Sequence, residues 1–393
     1  MRKTSFRMLG LLVVVAMLMT GCRSEEKPSE PEQPSPEAST EEPEDLLAVD
    51  IEIPPGGEGS TESASGESDP ACVGGLELAD ATVLEIPDWN AEVNGYRATL
   101  TRDGDDPGHL TLGVIADIKE DTGENMFNIG RLVEWWRSEN VDAVVVAGDA
   151  GETEPGLARA LGALADPGWP VFVTIGNREA REVYTGALAK AKEAYPNVID
   201  LTQQRLVKLP GATLLSLPGY HDPRFLHAET GCVYFREDVE ALVPLAKEAE
   251  GPVLLVAHSG PRGATPQAVD FAREAGNIGD ANINRLIAAA DIPFGIFAHV
   301  HEAGGSATDL FGRDLIEQGA FTDSFYLNVG PADSHPWAMN DETVSRGMGG
   351  LVRVKGDEAA YQIHRHEALT DEEQALAKRF DPPSEDTEAE EAE

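Results

Sequence analysis

Five apolar runs, each followed by a polar residue that can bind a metal ion, constrain this chain more than any other feature of its sequence. The runs LGVIA, AVVVAG, VFVTIG, PVLLVA and PFGIFA have the length and composition of buried strands. The polar residues that follow them are Asp117, Asp149, Asn177, His258 and His299, with His301 two residues further on. Side chains just past the carboxyl ends of parallel strands meet in one crevice. The pattern therefore predicts a crevice lined by carboxylates, one amide and three imidazoles.

This combination of side chains is typical of a metal site. Carboxylate and amide oxygens are hard donors and imidazoles are borderline ones, a mixture that suits a close pair of Mn, Fe, Zn or similar ions bridged by one carboxylate. For any single position, the alternative is an Asp, Asn or His that caps a helix or satisfies a loop backbone. Because all six residues are of ligand type and follow apolar runs in order, we favour the metal site and expect hydrolytic chemistry.

The order of these residues resembles that of the calcineurin-like metallophosphoesterases over about 110–328. That family's motifs are Asp-x-His, Gly-Asp, Gly-Asn-His, a lone His and Gly-His-x-His. They correspond here to Asp117-Ile118-Lys119, Gly148-Asp149, Gly176-Asn177-Arg178, His258 and Ala298-His299-Val300-His301. The resemblance implies an α/β fold, a four-layer α/β/β/α sandwich of two mixed sheets with flanking helices. It also implies hydrolysis of phosphate esters by a metal-activated water.

The resemblance also implies which residues bind which ion. It assigns one site to Asn177, His258 and His299, the other to Asp117 and His301, and the bridge between them to Asp149. Lys119 stands where the family has a metal-binding His, so we expect either one or two divalent ions. A protonated amine has no lone pair to donate. We therefore hypothesise that the ammonium of Lys119 lies against Asp117 and Asp149 and replaces part of the missing metal's charge.

A second departure from the family pattern concerns the leaving-group proton. Arg178 stands where the family has the His that donates it. A guanidinium stays charged and its planar fork matches phosphate oxygens, so Arg178 is predicted to bind phosphate and not to act as the acid. The proton would come from His221 or His227 in GYHDPRFLH, or from a metal-bound water. The alternative for His221 is a turn residue held in place by its neighbours.

Four further residues are candidates for the edge of the site. Arg224 and Arg262 could line its mouth and attract an anion, although each is more often a plain surface charge. His335 and Trp337, in the stretch PADSHPWAMND, could form part of its rim.

Two functions are compatible with these motifs. The first is a metal-dependent phosphoesterase acting on a small-molecule or nucleotide-type phosphoester, and we favour it. The second is a degenerate, non-catalytic domain that binds a phosphorylated ligand or partner, because two catalytic elements have changed. The formal net charge of −40 disfavours binding to nucleic-acid duplexes.

The first residues predict export. Arg2, Lys3 and Arg7 precede an apolar run over 8–19, which is typical of a secretory signal and too short to span ~30 Å of hydrocarbon as a helix. The stretch Met19-Thr20-Gly21-Cys22 resembles the lipobox of bacterial lipoproteins. Residues 1–21 are therefore predicted to be removed and Cys22 to be lipidated, which would anchor the protein in the cell envelope, facing the periplasm or the exterior. The alternative is an ordinary cleaved signal with an incidental Cys.

Composition divides the rest of the chain. Residues 22–70 and 370–393 are rich in acidic residues and low in aromatic ones, so we predict a disordered tether and a disordered tail around one domain at 71–369. With Cys22 lipidated, Cys72 and Cys232 remain, and an even pair in an exported protein favours a disulfide. The alternative is two unpaired, buried small apolar residues.

Helices are predicted between the strands. Met126, Ile129 and Val133 recur at helical spacing, as do Leu157 and Leu161. Further helices are predicted at about 179–195, at 237–248 with a perturbation at Pro244, and at 282–290. After His301 the pattern predicts strands, near 324–329, 350–354 and 360–364.

Overall fold

The computed structural model describes residues 45–102, 104 and 108–382. The strands are β1 (Thr82–Ile86), β2 (Trp89–Asn94), β3 (Arg97–Thr101), β4 (His109–Ile115), β5 (Ala143–Ala147), β6 (Val171–Thr174), β7 (Val198–Asp200), β8 (Leu206–Leu209), β9 (Ala212–Leu217), β10 (Val253–Ala257), β11 (Phe271–Ala272), β12 (Gly276–Asn277), β13 (Phe294–Phe297), β14 (Ser306–Thr308), β15 (Phe325–Asn328), β16 (Trp337–Ala338), β17 (Val344–Ser345), β18 (Met348–Lys355) and β19 (Glu358–Arg365). The helices are α1 (Gly123–Ser138), α2 (Glu154–Ala165), α3 (Arg181–Ala194), α4 (Arg236–Glu240), α5 (Leu242–Glu248), α6 (Ala281–Ala290) and α7 (Asp371–Ala377), and short 3-10 turns cover Pro223–Phe225, His301–Ala303 and Lys378–Phe380.

Two mixed sheets form the framework. The first sheet has nine strands in the order β1-β2-β3-β8-β9-β10-β13-β15-β14, and the second has six in the order β19-β18-β4-β5-β6-β7. Pairing is parallel from β9 through β10 and β13 to β15, and from β4 through β5 and β6 to β7. Antiparallel strands flank both parallel blocks, for example β18 on β4 and β14 on β15.

Alternation of side chains along the strands shows that the two sheets pack face to face. In β5, Val145 belongs to a core cluster that also contains Leu254 and Val256 of β10 in the first sheet. Its neighbour Val144 belongs to a different cluster, shared with the helices. Because successive side chains of a strand point to opposite faces, one face of each sheet meets the other sheet and the second face meets helices.

The helices cover the outer faces of the sheets. The indole of Trp136 in α1 donates to the carbonyl of Gly350 in β18, and α2 contacts β6, whereas α5 contacts β9 of the first sheet. The predicted four-layer α/β/β/α sandwich of two mixed sheets is thereby confirmed.

Local sequence signals account for the helix boundaries. The hydroxyls of Thr122 and Thr153 accept hydrogen bonds from the first turns of α1 and α2. The helix predicted at 237–248 is two helices that meet at Ala241. A proline removes an amide donor and crowds the preceding turn, which explains why the break precedes Pro244.

The predicted tether boundary is wrong for its last part. Residues 45–70, which we call the N-terminal strap, lie on the domain. Leu47 is only 1% exposed, the amide of Gly57 donates to the carbonyl of Asn277, and Ser63 bonds with Asn282. The average composition of 22–70 hides the apolar residues at 46–53, which provide this anchorage. The earlier tether residues, 22–44, lie outside the described part of the chain.

The predicted tail boundary is also wrong for its first part. Residues 371–377 form α7, which Thr370 and Glu373 begin with a capping box. The amide of Gly123 in α1 donates to the carboxylate of Asp381, and Ala377 is buried. The start of the tail is thus part of the folded domain, and 383–393 lie outside the described residues.

The predicted disulfide between Cys72 and Cys232 is present. Their Cα atoms are 5.3 Å apart and their sequence separation is 160 residues. The bond joins the segment just after the N-terminal strap to the loop that follows β9. Within the described part of the chain, no helix is both long and apolar enough to cross a bilayer. The predicted signal segment and Cys22 lie outside that part.

Candidate metal centre

Loops from both sheets bring the predicted ligand residues together. Asp117, Asp149 and Asn177 follow β4, β5 and β6 of the second sheet, and His258 and His299 follow β10 and β13 of the first. A ring nitrogen of His258 lies 2.9 Å from the carbonyl oxygen of Ala147 at the end of β5, which joins the two sheets at this point.

The backbone of these loops is strained. Residues other than glycine with a positive φ occur at Asp117 (51°), Lys119 (66°), Asp149 (54°) and His299 (72°). Left-handed conformations of such residues cost of order 1 kcal/mol or more and tend to collect at functional sites. Their concentration within a few ångströms of each other therefore marks this crevice as the functional part of the fold.

Backbone donors orient the carboxylate of Asp149, which is 2% exposed. Its Oδ1 accepts hydrogen bonds from the amides of Asn177 at 2.9 Å and Arg178 at 3.0 Å. Its Oδ2 is left to face Nε2 of His258 at 3.3 Å. Gly148 is required beside it, because a Cβ there would come within 2.7 Å of Nδ1 of His258 and its φ is +93°.

Hydrogen bonding fixes how His258 and Asn177 present their atoms. A carbonyl oxygen can only accept, so Nδ1 of His258 carries the hydrogen that bonds to Ala147 and Nε2 of the neutral ring carries a lone pair. The amide nitrogen of Asn177 donates to the carbonyl of Phe225 at 2.6 Å. Its Oδ1 therefore points to the centre, 2.9 Å from Nε2 of His258 and 3.1 Å from Nδ1 of His299.

The result is a group of facing acceptors, which we call the acceptor cluster: Oδ2 of Asp149, Oδ1 of Asn177 and Nε2 of His258. Lone pairs at these distances repel one another unless a cation or a proton lies between them. Ligand atoms of Asp117, Asp149 and His258 lie within 4.8 Å of one another, and all three residues are buried. Oxygen and imidazole donors in this arrangement fit a divalent transition metal.

Electrostatics in the cluster agree with a requirement for positive charge. Burial lowers the pKa of His258, but Asp149 outweighs it and raises that pKa to about 9. Burial likewise opposes ionisation of Asp149, yet His258 holds the pKa of Asp149 well below its usual range. Burial, helped by His258, lowers the pKa of His299 to about 3. Positive charge on His258, together with the backbone hydrogen bond from Arg178, thus favours the ionised carboxylate of Asp149 against the effect of burial.

The other side of the centre is arranged differently. Nε2 of His301 lies 3.2 Å from Oδ1 of Asp117, and because a carboxylate only accepts, this nitrogen carries a hydrogen. The ring of Trp337 covers that of His301 at a centroid distance of 4.2 Å. The edge of the His335 ring in turn contacts Trp337 at a centroid distance of 5.4 Å, and the rim role of both residues stays a prediction.

The hypothesis about Lys119 needs a correction. Its ammonium is 3.3 Å from Oδ2 of Asp333 and 4.1 Å from the centre of the Trp337 ring. Among the described residues its ion-pair partner is thus Asp333, and not Asp117 or Asp149 as predicted. The left-handed backbone of Lys119 turns its side chain toward the loop after β15, which carries Asp333. We call Lys119, Asp333, Trp337 and His301 the lysine cluster.

The residue predicted to bind phosphate is partly exposed, whereas the residue predicted to act as the acid is buried. The guanidinium of Arg178 is partly exposed at the rim and pairs with Glu152. His221 is 3% exposed, and its Nδ1 lies 3.1 Å from the hydroxyl of Ser259. The ring of Tyr220 lies between His221, at 4.5 Å, and His299, at 4.3 Å. The structure therefore does not bring His221 to the acceptor cluster, and its catalytic role stays a prediction.

The remaining candidate residues, His227, Arg224 and Arg262, form hydrogen bonds or ion pairs with other parts of the domain. His227 is exposed, and its amide donates to the carbonyl of Asn177. Arg224 pairs with Asp222. Arg262 is buried and donates to the carbonyls of Gly279 and Thr61, so it anchors the N-terminal strap and is not a surface charge.

Sequence reasoning missed two acidic residues of the centre. The buried carboxylate of Glu179 accepts from the amides of Ala150 and Gly176 and holds the loops that carry Asp149 and Asn177. Burial, with Asp149 next, raises the pKa of Glu179 to about 8. Asp333 is the partner of Lys119. Its position just after the apolar end of β15 repeats the strand-end pattern, and this signal could have found it.

Residues 110–303 match the family model described as calcineurin-like phosphoesterase. The match confirms the predicted resemblance, and this segment forms a calcineurin-like phosphoesterase domain. All six predicted ligand residues lie within it. Fold, site and family thus define the class as a metal-dependent phosphoesterase.

Comparison with solved structures gives distant similarities. A dimetal phosphatase from Danio rerio is 15% identical, with coverage of 66% of this chain and 99% of that one and a TM-score of 0.41. The anchor protein of the inner membrane complex of Plasmodium is 13% identical, with coverage of 70% and 98% and a TM-score of 0.42. A phosphopantetheinyl hydrolase from Mycobacterium tuberculosis is 15% identical, with coverage of 57% and 91% and a TM-score of 0.35. No curated protein matches the chain significantly.

Proposed function

We propose that this protein hydrolyses small phosphate esters with a divalent transition metal held by the acceptor cluster. The observation that carries the proposal is the convergence of Oδ2 of Asp149, Oδ1 of Asn177 and Nε2 of His258, each fixed by a hydrogen bond to the backbone on its other side. Preorganised ligand atoms of this kind leave little reorganisation for the reaction itself.

The division of labour follows from the side chains. Asp149, Asn177 and His258 would hold the ion, and Asp117 lies close enough to Asp149 and His258 to contribute a ligand atom. A bound divalent ion lowers the pKa of a water molecule and neutralises charge on the phosphoryl oxygens. In hydrolysis the water oxygen forms a bond to phosphorus, the ester P–O bond breaks, and the leaving alcohol takes up a proton. Arg178, at the rim, offers a guanidinium that a phosphate can share with Glu152.

A cavity beside His301 supports a small-molecule substrate. The 3-10 turn His301–Ala303 carries the imidazole that contacts Asp117, and its last two residues line a cavity of about 610 Å³. This volume is in the range of small-molecule sites. The walls combine the apolar Leu315 and Ile316 with the polar Gln267 and Gln318.

We further propose that the enzyme acts outside the cytoplasm, anchored by a lipid on Cys22. The charged start, the short apolar run and the Cys at its end support this location. Expression in a bacterium tests it. The protein without a substitution is expected in the membrane fraction, from which detergent should release it. The Cys22→Ser variant is expected in the soluble fraction. A Cys22→Ser variant that stays in the membrane fraction would remove the anchor from this account.

A second candidate function is ligand binding without turnover. It is favoured by the ion pair that occupies Arg178 and by the buried position of His221, because both leave the leaving-group proton without an evident donor in the crevice. Under this alternative the centre binds a phosphorylated ligand and releases it unchanged.

A turnover assay separates the two functions. The purified chain, stripped with a chelator and reloaded with Mn²⁺, is offered a panel of phosphomonoesters and phosphodiesters. We expect phosphate or alcohol release that the chelator abolishes and Mn²⁺ restores. If no ester is cleaved, but one of them raises the melting temperature of the Mn²⁺-loaded chain, the binding function replaces the proposed one.

A further inference from the structure

A buried ammonium group lies beside the acceptor cluster in a closed set of contacts. The ammonium of Lys119 pairs with Oδ2 of Asp333 at 3.3 Å, and the side chains of the two residues are only 7% and 16% exposed. The indole nitrogen of Trp337 donates to the same oxygen at 3.4 Å, and its ring faces the ammonium at 4.1 Å. Both the carboxylate and the aromatic face stabilise positive charge at this point.

Contacts of the lysine cluster also involve His301 and Asp117, the two residues that would bind a second metal ion. Nε2 of His301 lies 3.2 Å from Oδ1 of Asp117, so a second ion would have to displace this contact to use either residue as a ligand. The ring of Trp337 covers His301 on its other side. The backbone amide of Asp333 donates to the carbonyl of Asp117 at 3.1 Å, so the loop after β15 is fixed to the loop after β4.

A second divalent ion at this position would face two physical costs. It would lie close to the charge of Lys119 in a poorly hydrated environment, where like charges repel strongly. It would also draw the partly buried carboxylate of Asp333 away from Lys119, and separating a buried ion pair is costly. The acceptor cluster has the opposite need, because its acceptor atoms face one another and require a cation or a proton between them.

We propose that Lys119, held by Asp333 and Trp337, is a built-in cation that excludes a second divalent ion, so that the centre takes up one ion per chain. That ion is held by the acceptor cluster. The inference deepens the proposed function and rests on it only for metal binding. It does not depend on turnover or on the identity of the ester.

Metal counting tests the inference directly. The mature full-length chain is stripped with a chelator, saturated with Mn²⁺, separated from free ion and analysed by mass spectrometry of the metal and by electron paramagnetic resonance. We expect one Mn²⁺ per chain with the spectrum of an isolated ion. Two Mn²⁺ per chain with an exchange-coupled spectrum would overturn this inference alone, whereas no bound Mn²⁺ would overturn the proposed function as well.

A substitution tests the part assigned to Lys119. Lys119→His removes the ammonium and adds a ligand, so we expect the count to rise from one to two and the coupled spectrum to appear. Lys208→His is the matched control, because Lys208 is an exposed lysine paired with Glu250 on the surface, and it should keep one ion. A folded Lys119→His variant that also keeps one ion would contradict the role of Lys119. If that variant does not fold, the count on the unmodified chain decides.

Discussion

The two sides of the centre differ in how their polar atoms are satisfied. In the acceptor cluster, the side chains of Asn177 and His258 donate to backbone carbonyls on their outer side, and Oδ1 of Asn177 and Nε2 of His258 face inward. In the lysine cluster, hydrogens of Lys119, Trp337 and His301 point at carboxylates, so each charge already has a counter-charge. One side needs a cation from outside, and the other carries its own.

This difference shows that residue type alone does not define a metal ligand. His258 and His301 are both imidazoles placed just after strands of the same sheet. Their hydrogen bonds differ, because Nδ1 of His258 donates to the carbonyl of Ala147 and leaves Nε2 of the neutral ring as an acceptor, whereas Nε2 of His301 donates to the carboxylate of Asp117. Substitutions on each side should therefore have very different effects on metal binding.

The largest effect is expected from Asp149→Asn. The carboxylate supplies a ligand atom and the charge that balances His258, and outer-shell changes alone cost about 10- to 100-fold in metal affinity or activity. We expect a loss of roughly 100-fold or more in Mn²⁺ affinity, measured by calorimetry, and a comparable loss of turnover. Asp166→Asn, which changes an exposed acid at the end of α2, serves as the control and should leave both unchanged. Similar affinities for the two variants would exclude the acceptor cluster as the metal site.

An intermediate effect is expected from Gly148→Ala. A Cβ at Gly148 would come within 2.7 Å of Nδ1 of His258, whereas a Cβ at Gly168, which has the same φ of +93°, would meet nothing within 4 Å. Both variants should lose about 1–2 kcal/mol of unfolding free energy from the backbone conformation. Only Gly148→Ala should lower Mn²⁺ affinity, by roughly tenfold, because His258 must move. Equal affinities in the two variants would show that the orientation of His258 is unimportant.

A smaller effect is expected from Trp337→Leu. The indole faces Lys119 and covers His301, so its loss should lower the unfolding free energy by about 1–3 kcal/mol. Mn²⁺ affinity should stay the same within error, because the lysine cluster provides no ligand to the ion. Thermal unfolding with and without Mn²⁺ measures both quantities. A marked fall in affinity would mean that the two sides act as one site.

The smallest effect is expected from Glu152→Gln, which releases the guanidinium of Arg178 at the rim. Partly exposed ion pairs contribute little, so the affinity of the Mn²⁺-loaded chain for inorganic phosphate should rise only a few-fold. Phosphate titration followed by calorimetry is the measurement. Weaker phosphate binding in this variant would show that Glu152 positions Arg178 for the substrate and does not compete with it.

The fold and the identity of the converging residues could be predicted from sequence because both depend on local patterns. Apolar runs define strands, and in parallel sheets the residues after them must meet at one edge. The partner of Lys119 could not be found in this way, because Asp333 is 214 residues away from it in the sequence. Their contact depends on a left-handed backbone conformation that Lys119 does not favour intrinsically.

The boundaries of the domain were mispredicted for a related reason. Acidic, proline-rich composition argues for disorder on average, but Leu47 and Ala377 each find a buried place on the domain. A few well-placed apolar contacts and hydrogen bonds to the backbone decide whether such a segment is ordered. The disulfide, in contrast, was predictable because the predicted lipidation of Cys22 left two cysteines for pairing.

The account depends most on where the ion binds, and anomalous diffraction from crystals of the Mn²⁺-loaded protein locates it. We expect one anomalous peak per chain, at about 2.0–2.3 Å from ligand atoms of Asp149, Asn177 and His258. A peak between His301 and Lys119, or no peak at the acceptor cluster, would contradict the account.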